Sequence, residues 1–396
     1  MPAPPRPSHT VPVEPLHLPD DGDAPLPEEH RPLSELTTLE VGGPARYVFT
    51  VLGPADVLHA LQFARDRGLP HLVLGGGSNL LVADRGFPGV VLQMADYRLE
   101  VEEGEDDAVI LTAGAGVPWD ELVAFAVTEE LAGIECLSGI PGTAGAAPIQ
   151  NIGAYGQELS DTLLAVDALD VATHEIVRLS AEDCGLGYRS SHFKGAWRDR
   201  WVVLAIHLRL RARGAATVRY PELARAVGSD RPSLADVRRT VLAIRRRKAM
   251  VLDPRSPDRR SAGSFFVNPI VPPAQVEDLE AALGEEAATL PRYPQPDGRV
   301  KLSAAWLIER AGFERGFALG RAGLSSRHTL ALINRGAARA EDLIALAALI
   351  RRSVHGHFGI ILQPEPVFVG FDDGLDRLLP LPGVHALALT PPQEHR

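Results

Sequence analysis

The segment GIPGTAGAAPIQNIGAYG, residues 139–156, carries the strongest indication of the fold. It includes five glycines and two prolines and has no charged side chain. A solvated linker of this glycine content would carry Ser, Lys or Glu, and a core helix or strand would not tolerate so many glycines. Backbone that approaches a large flat or phosphorylated ligand fits the composition, because missing side chains allow close contact and free N–H groups donate hydrogen bonds. A tightly packed series of turns without a ligand is the alternative that these residues alone leave open.

The length and composition of the chain indicate a globular protein with more acidic than basic residues. Its 396 residues predict two or three domains, and 45% of them are hydrophobic. Asp and Glu number 51 against 40 Lys and Arg, a formal charge of −11, which disfavours a general nucleic-acid binder. The two cysteines, Cys136 and Cys184, predict neither a zinc site nor a disulfide framework. Without a long apolar run or a signal sequence, we expect a cytoplasmic protein with no metal and no membrane contact.

The order of predicted elements indicates α/β organisation after a proline-rich tail. Residues 1–32 contain ten prolines and no apolar periodicity, which predicts a disordered tail outside the fold. A helix over 55–67 is followed by a buried strand over 71–74. A long strand is predicted over 166–179, and residues 358–369 predict a pair of strands interrupted by proline.

A second glycine cluster, GGGSN at 75–79, directly follows the buried strand 71–74. No helical pattern comes after it, which excludes a G-x-G-x-x-G dinucleotide fingerprint, and no Gly-Lys-Ser/Thr follows, which excludes a P-loop. A glycine loop that ends in Ser and Asn still offers N–H and hydroxyl donors to a phosphate. These residues alone do not distinguish such a loop from a plain tight turn.

Three further stretches combine polar side chains with predicted turns or helix ends. YRSSHFK at 188–194 is polar and compact, and the helix that Ser233 caps ends in the basic run RRRK at 245–248. A basic last turn complements the helix dipole, but four successive cations point in several directions, so at least one could meet an anionic ligand. In SAGSFFVNP at 261–269, small residues, a Ser and an Asn flank two aromatics. Glu365 lies where proline interrupts the last strand pair.

Taken in order along the chain, five motifs resemble those of the UDP-N-acetylenolpyruvoylglucosamine reductases, the MurB flavoenzymes. They are GGGSN at 75–79, PGTAGAAPIQNIGAYG at 141–156, YRSSHFK at 188–194, GSFFVNP at 263–269 and QPEP at 363–366. The likeness covers about residues 33–370. It implies an α+β chain in which an FAD-binding fold of the PCMH (vanillyl-alcohol-oxidase) type, made of two α/β subdomains, is followed by a separate MurB C-terminal substrate-binding domain.

The resemblance also implies the reaction, its cofactors and a division into domains. Enzymes of this family use NADPH and FAD to reduce the enolpyruvyl ether of a UDP-sugar to UDP-N-acetylmuramate, a precursor of peptidoglycan in cell-wall biogenesis. We therefore expect a small-molecule substrate and a monomer. The implied division is a tail at 1–32, FAD subdomains at 33–98 and 99–247, a substrate-binding domain at 248–365, and a returning strand with a flexible tail at 366–396.

Both glycine-rich stretches are implied to surround the flavin and its diphosphate, whose charge backbone N–H groups neutralise without bulk. The residues that match cofactor-binding positions of the family are Gly75, Gly76, Gly77, Ser78, Asn79, Leu80, Pro141, Gly142, Thr143, Gly145, Ala146, Gln150, Asn151, Ile152, Gly153, Ala154 and Tyr155.

Three side chains match the catalytic positions of the family. Arg189 matches the cation that stabilises negative charge formed on the substrate after hydride transfer from FAD N5. Glu365 matches the carboxyl group that shares a proton with the substrate carboxylate. Ser264 matches the donor that protonates carbon two of the substrate, a task that a serine performs only when it is pre-positioned in a dry site.

Four residues match positions that hold the substrate, the last three of them at the UDP diphosphate: Tyr188, Tyr220, Lys248 and Asn268. Tyr220 also indicates the branch of the family that has a long substrate-covering loop. The chain departs from the pattern at Val267, where many relatives have a cation. Less charge therefore reaches the diphosphate, and the Arg-rich stretch 253–260 is a candidate to compensate.

Two other functions remain open at the level of sequence. A flavoenzyme of the same fold, such as an alcohol oxidase, would carry a covalent flavin on His or Cys, and His71 lies near the first glycine loop, although outside any motif for that bond. A non-redox nucleotide-sugar binder would use the glycine loops for phosphates alone. The spectrum of the purified protein separates this second function, because such a protein would be colourless.

Overall fold

The first part of the chain forms a small sheet covered by one helix. The computed structural model describes residues 25–381 and the backbone of strand Val11–Pro12. Helix Pro54–Asp66 packs on the sheet through Val57, Leu61 and Ala64, which share one helical face, and this confirms the predicted helix. In spatial order the strands are Glu28–Glu29, Ala45–Val51, Phe87–Met94 and His71–Leu74, the last three parallel to one another.

The next part is built on a seven-stranded antiparallel sheet. Helix Trp119–Thr128 packs beside it, and the buried Trp119 donates its ring N–H to the carbonyl of Leu137 at 3.2 Å. In spatial order the strands are Val11–Pro12, Ile176–Ser180, Leu163–Asp170, Trp201–Ala212, Ala108–Gly114 and Leu99–Glu103, with Leu131–Ala132 paired to the end of Trp201–Ala212.

The single long strand predicted over 166–179 is wrong, because the chain turns back in the middle. Two strands, Leu163–Asp170 and Ile176–Ser180, pair as an antiparallel hairpin. The Asp170 carboxylate accepts hydrogen bonds from the backbone N–H groups of Ala172, at 2.8 Å, and Thr173, at 3.3 Å. The turn is therefore closed by a side chain that the apolar pattern on either side of it does not indicate.

The predicted disordered tail is also wrong for the residues that the structure describes. Val11–Pro12 pairs with the edge strand Ile176–Ser180, and Glu28–Glu29 pairs with Ala45–Val51. A short segment with proline is tolerated at a sheet edge, where an N–H group that faces away from the sheet is not needed. The remaining residues of 1–24 lie outside the described residues.

The C-terminal part is built around a core that also includes Leu39, Val41 and Leu81 from the first part of the chain. Ser303 caps the second of its helices by accepting a hydrogen bond from the Trp306 N–H group at 3.3 Å. The helices are Pro273–Leu283, Ala304–Arg310, Ala340–Phe358 and Leu375–Leu378. The strands form two small sheets, Ile270–Val271 with Val300–Leu302 and Arg292–Pro294, and Ala318–Leu319 with Ala322–Leu324 and Leu332–Asn334.

Two helices connect the large sheet to this C-terminal core. Helix Pro221–Val227 follows Tyr220, and helix Leu234–Arg247 begins at Ser233, whose hydroxyl accepts the N–H of Asp236 at 3.1 Å. Shorter elements are the 3₁₀ turns Leu33–Glu35, Glu135–Leu137, Ala144–Gln150, Leu159–Asp161 and Gly284–Thr289 and the two-residue strands Gly153–Ala154 and Gln157–Glu158. Among residues 25–381, no helix has the length and apolar character needed to cross a bilayer.

The strand pair predicted over 358–369 is wrong in its first half. Phe358 ends helix Ala340–Phe358, and Gly359 follows it in the left-handed conformation, φ 65°. Only Val367–Val369 is a strand, and it pairs in parallel with Leu80–Val82. The chain thus returns from the C-terminal core to the end of the first glycine loop.

Candidate active site

The two glycine-rich stretches meet each other in the fold. A Cβ atom added to Gly76 would lie 2.9 Å from the Cα of Gly142, and one added to Gly75 would overlap the Thr143 hydroxyl. Gly77 has a φ of +59°, and a side chain there would overlap the carbonyl of Leu36. The absence of side chains therefore lets two loops from different parts of the sequence form one backbone-lined cradle.

Donors in this cradle are left free by the protein itself. Within the described part of the chain, the peptide N–H groups of residues 75–79, Gly142 and Thr143 donate no hydrogen bond. The Thr143 hydroxyl is buried and likewise has no partner among those residues. A buried hydroxyl without a partner is costly, so a bound group is expected to satisfy it. A cradle of free N–H groups and missing Cβ atoms fits the diphosphate of a dinucleotide cofactor.

Asn79 ties three segments together at the edge of the cradle. Its amide nitrogen donates to the side-chain oxygen of Gln150 at 3.1 Å and to the backbone carbonyl of Glu365 at 3.2 Å. The Asn79 carbonyl accepts the N–H group of Val367 at 2.9 Å. The end of the first glycine loop therefore fixes both the second glycine-rich stretch and the carboxyl-bearing segment beside it.

Asn151 anchors the second stretch from within rather than facing the cradle with its side chain. It is buried and left-handed, with φ 44°. Its amide nitrogen donates to Glu158 at 2.8 Å and to the carbonyl of Gly187 at 3.1 Å, and its amide oxygen accepts the N–H of Ser160 at 3.0 Å. The side chain is thus occupied in joining the glycine stretch to the loop that carries Tyr188.

Arg189 and Glu365 form an ion pair next to the cradle, with Arg189 Nε 3.3 Å from Glu365 Oε1. The Arg189 guanidinium also donates to the carbonyls of Gly153, at 2.8 Å, and Asn151, at 3.4 Å. Burial raises the pKa of Glu365, while the positive charges of Arg189 and Lys194 oppose that rise. The site therefore holds, beside a fixed cation, a carboxyl group whose protonated form is favoured by burial.

Ser264 lies in the segment that runs beside Glu365. Its neighbour Phe265 donates its N–H to the carbonyl of Leu330 at 2.7 Å, and the carbonyl of Phe265 accepts the N–H of Glu365 at 2.8 Å. Ser264 itself is half-buried, and its hydroxyl makes no hydrogen bond within the described residues. An uncommitted hydroxyl therefore lies in the segment whose backbone is bonded to that of Glu365.

A second polar group of side chains lies at the other end of the cleft. The rings of Tyr155 and Tyr220 meet edge to face with centroids 5.7 Å apart, and burial raises the pKa of Tyr155 to about 12. Lys248 Nζ lies 5.9 Å from the Tyr155 ring and 2.7 Å from a carboxylate oxygen of Glu222. This group combines aromatic surfaces with a cation, which suits a nucleotide.

Tyr188 and Asn268 lie near each other. Burial raises the pKa of the Tyr188 hydroxyl, and the nearby Asn268 side chain opposes that rise. The Asn268 amide oxygen accepts the N–H of Ala304 at 2.9 Å. Both side chains, together with Arg189, line a cavity of about 520 Å³ that opens between the loop of 188–194 and the C-terminal core.

Comparison with known proteins decides the family. A model described as the FAD binding domain matches residues 45–180, and one described as the UDP-N-acetylenolpyruvoylglucosamine reductase C-terminal domain matches residues 254–369. Over 347 residues the chain is 49% identical to the UDP-N-acetylenolpyruvoylglucosamine reductase of Thermobifida fusca, a match that covers 86% of this chain and 97% of that one. The chain belongs to the UDP-N-acetylenolpyruvoylglucosamine reductase family.

Further relatives agree with this family. The reductase of Nocardia farcinica is 51% identical over 348 residues, which cover 85% of this chain and 88% of that one. The crystal structure of UDP-N-acetylenolpyruvylglucosamine reductase (MurB) from Thermus caldophilus superposes with a TM-score of 0.60 at 27% identity and covers 87% of this chain and all of that one. The predicted family, the FAD-binding fold followed by a MurB C-terminal domain, and the oxidoreductase class are therefore confirmed.

Membership of the MurB family identifies the protein as an FAD enzyme and as a reductase of enolpyruvyl-UDP-N-acetylglucosamine in peptidoglycan precursor synthesis. The covalent-flavin alternative finds no support at His71. That residue begins strand His71–Leu74, so the length of the strand separates it from the glycine loop. Burial lowers the pKa of His71 as well.

Sequence reasoning missed two cations near the Arg189–Glu365 pair. Lys194 donates from Nζ to the carbonyl of Arg189 at 3.4 Å, and Lys301 Nζ lies 4.4 Å from the Tyr188 ring. Lys194 ends the YRSSHFK motif, so its place in that motif was a usable signal. Lys301 gave no such sequence signal, because VKL at 300–302 has the pattern of an ordinary short strand.

Sequence reasoning also selected Lys248 from the basic run 245–248 and did not select Arg245. Its Nε is buried without a partner among the described residues, while its Nη2 donates to the carbonyl of Met250 at 2.7 Å. A Cβ atom on Gly139 would lie 3.3 Å from that Nε. Arg245 therefore packs against the beginning of the stretch 139–156 and is part of its support.

Proposed function

We propose that the chain uses NADPH to reduce UDP-N-acetylglucosamine enolpyruvate, and that Arg189, Glu365 and Ser264 carry the chemistry on the substrate. The observation that carries this proposal is the Arg189–Glu365 pair, 3.3 Å apart, beside a cradle whose donors are free. FAD, when bound, supplies the hydride-transferring ring, and NADPH is the proposed source of the hydride. We also propose a cytoplasmic monomer.

The proposed task of Arg189 is electrostatic. Addition of hydride to the vinyl carbon of the substrate leaves negative charge on carbon two and on the adjoining carboxylate. A guanidinium whose position is already fixed by Gly153 and Glu365 stabilises that charge without reorganising during the reaction. Lys194 adds a second positive charge behind the pair.

The proposed task of Glu365 is to hold a proton between two carboxyl groups. A substrate carboxylate beside an ionised Glu365 would be repelled, and two carboxyl groups in one site lower that repulsion by sharing a proton. Burial already favours the protonated form of Glu365, since it raises the pKa. Ser264 then gives its hydroxyl proton to carbon two, which completes the saturated product, and the Ser264 alkoxide that remains regains a proton from solvent.

The UDP part is proposed to occupy the end formed by Tyr220, Lys248 and Asn268. Tyr220 is 37% exposed, so its hydroxyl is accessible to a ligand, and its ring rests on Tyr155. Lys248 already contacts Glu222, so a diphosphate would compete with that carboxylate for the ammonium group. The residue assignments given above for FAD remain proposals of the same kind.

The proposal as a whole is tested by two successive anaerobic additions to the purified protein. NADPH should bleach the absorbance of bound flavin, and UDP-N-acetylglucosamine enolpyruvate should then restore it. Protein that stays colourless after reconstitution with FAD would exclude the redox function. Flavin that stays bleached after addition of the UDP-sugar would exclude the substrate.

Replacement of Gly76 by valine is expected to weaken FAD binding by about tenfold or more, because overpacking of this kind costs roughly 1–3 kcal/mol. The added Cβ would lie 2.9 Å from the Cα of Gly142, so the two loops must separate. Equilibrium dialysis against FAD measures the change. Gly53→Val is the control, because Gly53 has extended backbone, φ −168°, and open space around it. Equal FAD affinity in both variants would contradict the assignment of the cradle.

The raised pKa of Glu365 predicts that stability declines with pH. Between the ordinary value of 4.5 and the higher native value, the folded protein holds a proton that the unfolded chain releases. The unfolding free energy that Glu365 contributes is therefore fully present below pH 4.5 and is lost as pH rises through the native pKa. Urea unfolding of wild type and Glu365→Gln over this range should show wild type losing stability relative to the variant. A constant difference between the two proteins would contradict the prediction.

A further inference from the structure

A second cavity, of about 370 Å³, lies beside the active site and is lined by arginines. Arg246, Arg255 and Arg327 line it, and Asp253 is the acidic side chain among its lining residues. Arg255 is held by Asp253, with Arg255 Nε 3.3 Å from an Asp253 carboxylate oxygen. Within residues 25–381, Arg246 and Arg327 have no carboxylate within ion-pair distance. The cavity therefore carries excess positive charge that the described protein does not neutralise.

The cavity adjoins two parts of the cleft already described. Arg246 lies two positions before Lys248 at the end of helix Leu234–Arg247. Arg327 lies three positions before Leu330, whose carbonyl accepts the N–H of Phe265 next to Ser264. A nucleotide that reaches the cleft can therefore extend a terminal phosphate into this cavity.

The local field agrees with an anion site. Burial lowers the pKa of His328, the neighbour of Arg327, to about 4, and the positive charges of Lys248 and Arg315 lower it further. His328 is therefore neutral at physiological pH and adds no charge of its own. The cations around it belong to arginine and lysine side chains whose charge does not depend on pH in this range.

Arginine suits a phosphate group better than it suits most other anions, because its planar fork donates two hydrogen bonds to two phosphate oxygens. A phosphate monoester at the end of a ligand carries two negative charges and can be surrounded by several cations. A diphosphate in the middle of a ligand is flanked on both sides and has proposed partners in Tyr220 and Lys248. The unpaired Arg246 and Arg327 in this cavity therefore suit a terminal phosphate monoester.

We propose that this arginine pocket binds the 2′-phosphate of NADPH and so sets the preference of the enzyme for NADPH over NADH. The proposal rests on the function proposed above, in which a nicotinamide dinucleotide supplies the hydride. Arg246 and Arg327 contact the phosphate, and Arg255 closes the pocket from the 251–257 loop. The diphosphate of the UDP-sugar is the competing phosphate, and the experiment is designed to tell the two apart.

The test uses the FAD-loaded double variant Arg246→Ala/Arg327→Ala. Calorimetric titration with adenosine 2′,5′-diphosphate should show at least about tenfold weaker binding than wild type, since hydrogen bonds to charged groups are among the strongest that proteins make. Flavin bleaching should show the same loss of apparent affinity for NADPH and no change for NADH. The KM for the UDP-sugar should stay unchanged. Arg352→Ala, which removes an exposed arginine from helix Ala340–Phe358, is the matched control and should change none of these.

Two results would overturn the proposal. Equal weakening of NADPH and NADH would show that the arginines do not recognise the 2′-phosphate, and a raised KM for the UDP-sugar with normal NADPH affinity would assign the pocket to the substrate diphosphate. Single Arg327→Gln and Arg246→Gln variants replace the double variant if it fails to fold, as judged by melting temperature and flavin content. If wild type is bleached by neither dinucleotide, the proposed function fails, while the titration with adenosine 2′,5′-diphosphate still decides the pocket.

Discussion

Ser264→Ala is expected to leave flavin bleaching by NADPH intact and to slow flavin recovery by the UDP-enolpyruvyl sugar by about 10²–10³-fold or more. The reason is that Ser264 is proposed to act only on the substrate, after the first half-reaction is over. Loss of one preorganised donor at a site of developing charge costs about 2.7–4 kcal/mol when oxyanion-hole donors are the guide. Rapid mixing of each half-reaction separately measures the two rates.

The geometry explains why a serine can do this. A hydroxyl is a poor acid in water, but a strongly basic carbanion accepts its proton when the two are held together in a dry site. The backbone of Phe265, next to Ser264, is fixed by hydrogen bonds to Leu330 and Glu365, and the Ser264 hydroxyl has no competing partner in the described part of the chain. Its proton is therefore available to the substrate.

Ser264→Cys is the matched variant, because it keeps a proton donor on the same short side chain. It should recover part of the lost rate of the second half-reaction, while Ser264→Ala should not. If both half-reactions fall equally in Ser264→Ala, or if the variant loses FAD, Ser264 has a structural role and the proposed proton donor is wrong.

The parts of the fold that sequence predicted well are those with strong local signals. Composition singled out both glycine stretches, and the structure shows the reason at Gly76 and Gly77, where side chains do not fit. Ser233 was predicted to cap a helix, and its hydroxyl accepts the expected backbone hydrogen bond from Asp236. Caps and glycine loops are local chemistry, so a single sequence contains most of what determines them.

The parts that failed depend on distant partners. Val11–Pro12 becomes a strand only because the edge of Ile176–Ser180 supplies its partner, and no property of a proline-rich segment indicates that. The hairpin hidden in 166–179 depends on one carboxylate, Asp170, which closes a turn between two apolar runs. Residues 359–362 were predicted as strand from their apolar pattern, but they follow a helix end and pair with no strand.

The candidate site shows the same division. The resemblance drew attention to Arg189 and Glu365, but no local pattern in either motif indicates that the two side chains meet. Their contact depends on the parallel pairing of Val367–Val369 with Leu80–Val82, which holds the segment of Glu365 beside the first glycine loop. Lys301 was missed for the same reason, because its place depends on a contact with Tyr188 in another segment.

Arg189→Met is expected to lower the rate of the second half-reaction by about 10²–10³-fold, with NADPH bleaching retained. The change removes the cation next to the developing charge and also the hydrogen bond to the carbonyl of Gly153 at 2.8 Å. Arg189→Lys keeps a positive charge but cannot reach both Gly153 and Glu365 with a planar fork, so it should recover only part of the rate.

Arg189→Met also tests the direction in which Arg189 shifts the pKa of Glu365. Burial raises the pKa of this carboxyl, and Arg189 opposes the rise, so removal of the guanidinium should raise the pKa further. Because an ionised Glu365 repels the substrate carboxylate, substrate affinity should fall as pH rises through that pKa. We expect this fall to occur at higher pH in Arg189→Met than in wild type and to stay near the wild-type pH in Arg189→Lys. Substrate titrations of the oxidised enzyme, followed by the flavin spectrum at a series of pH values, measure it. A fall at the same pH in all three proteins would mean that Arg189 does not govern the proton on Glu365, and the shared-proton role of this pair would then be wrong.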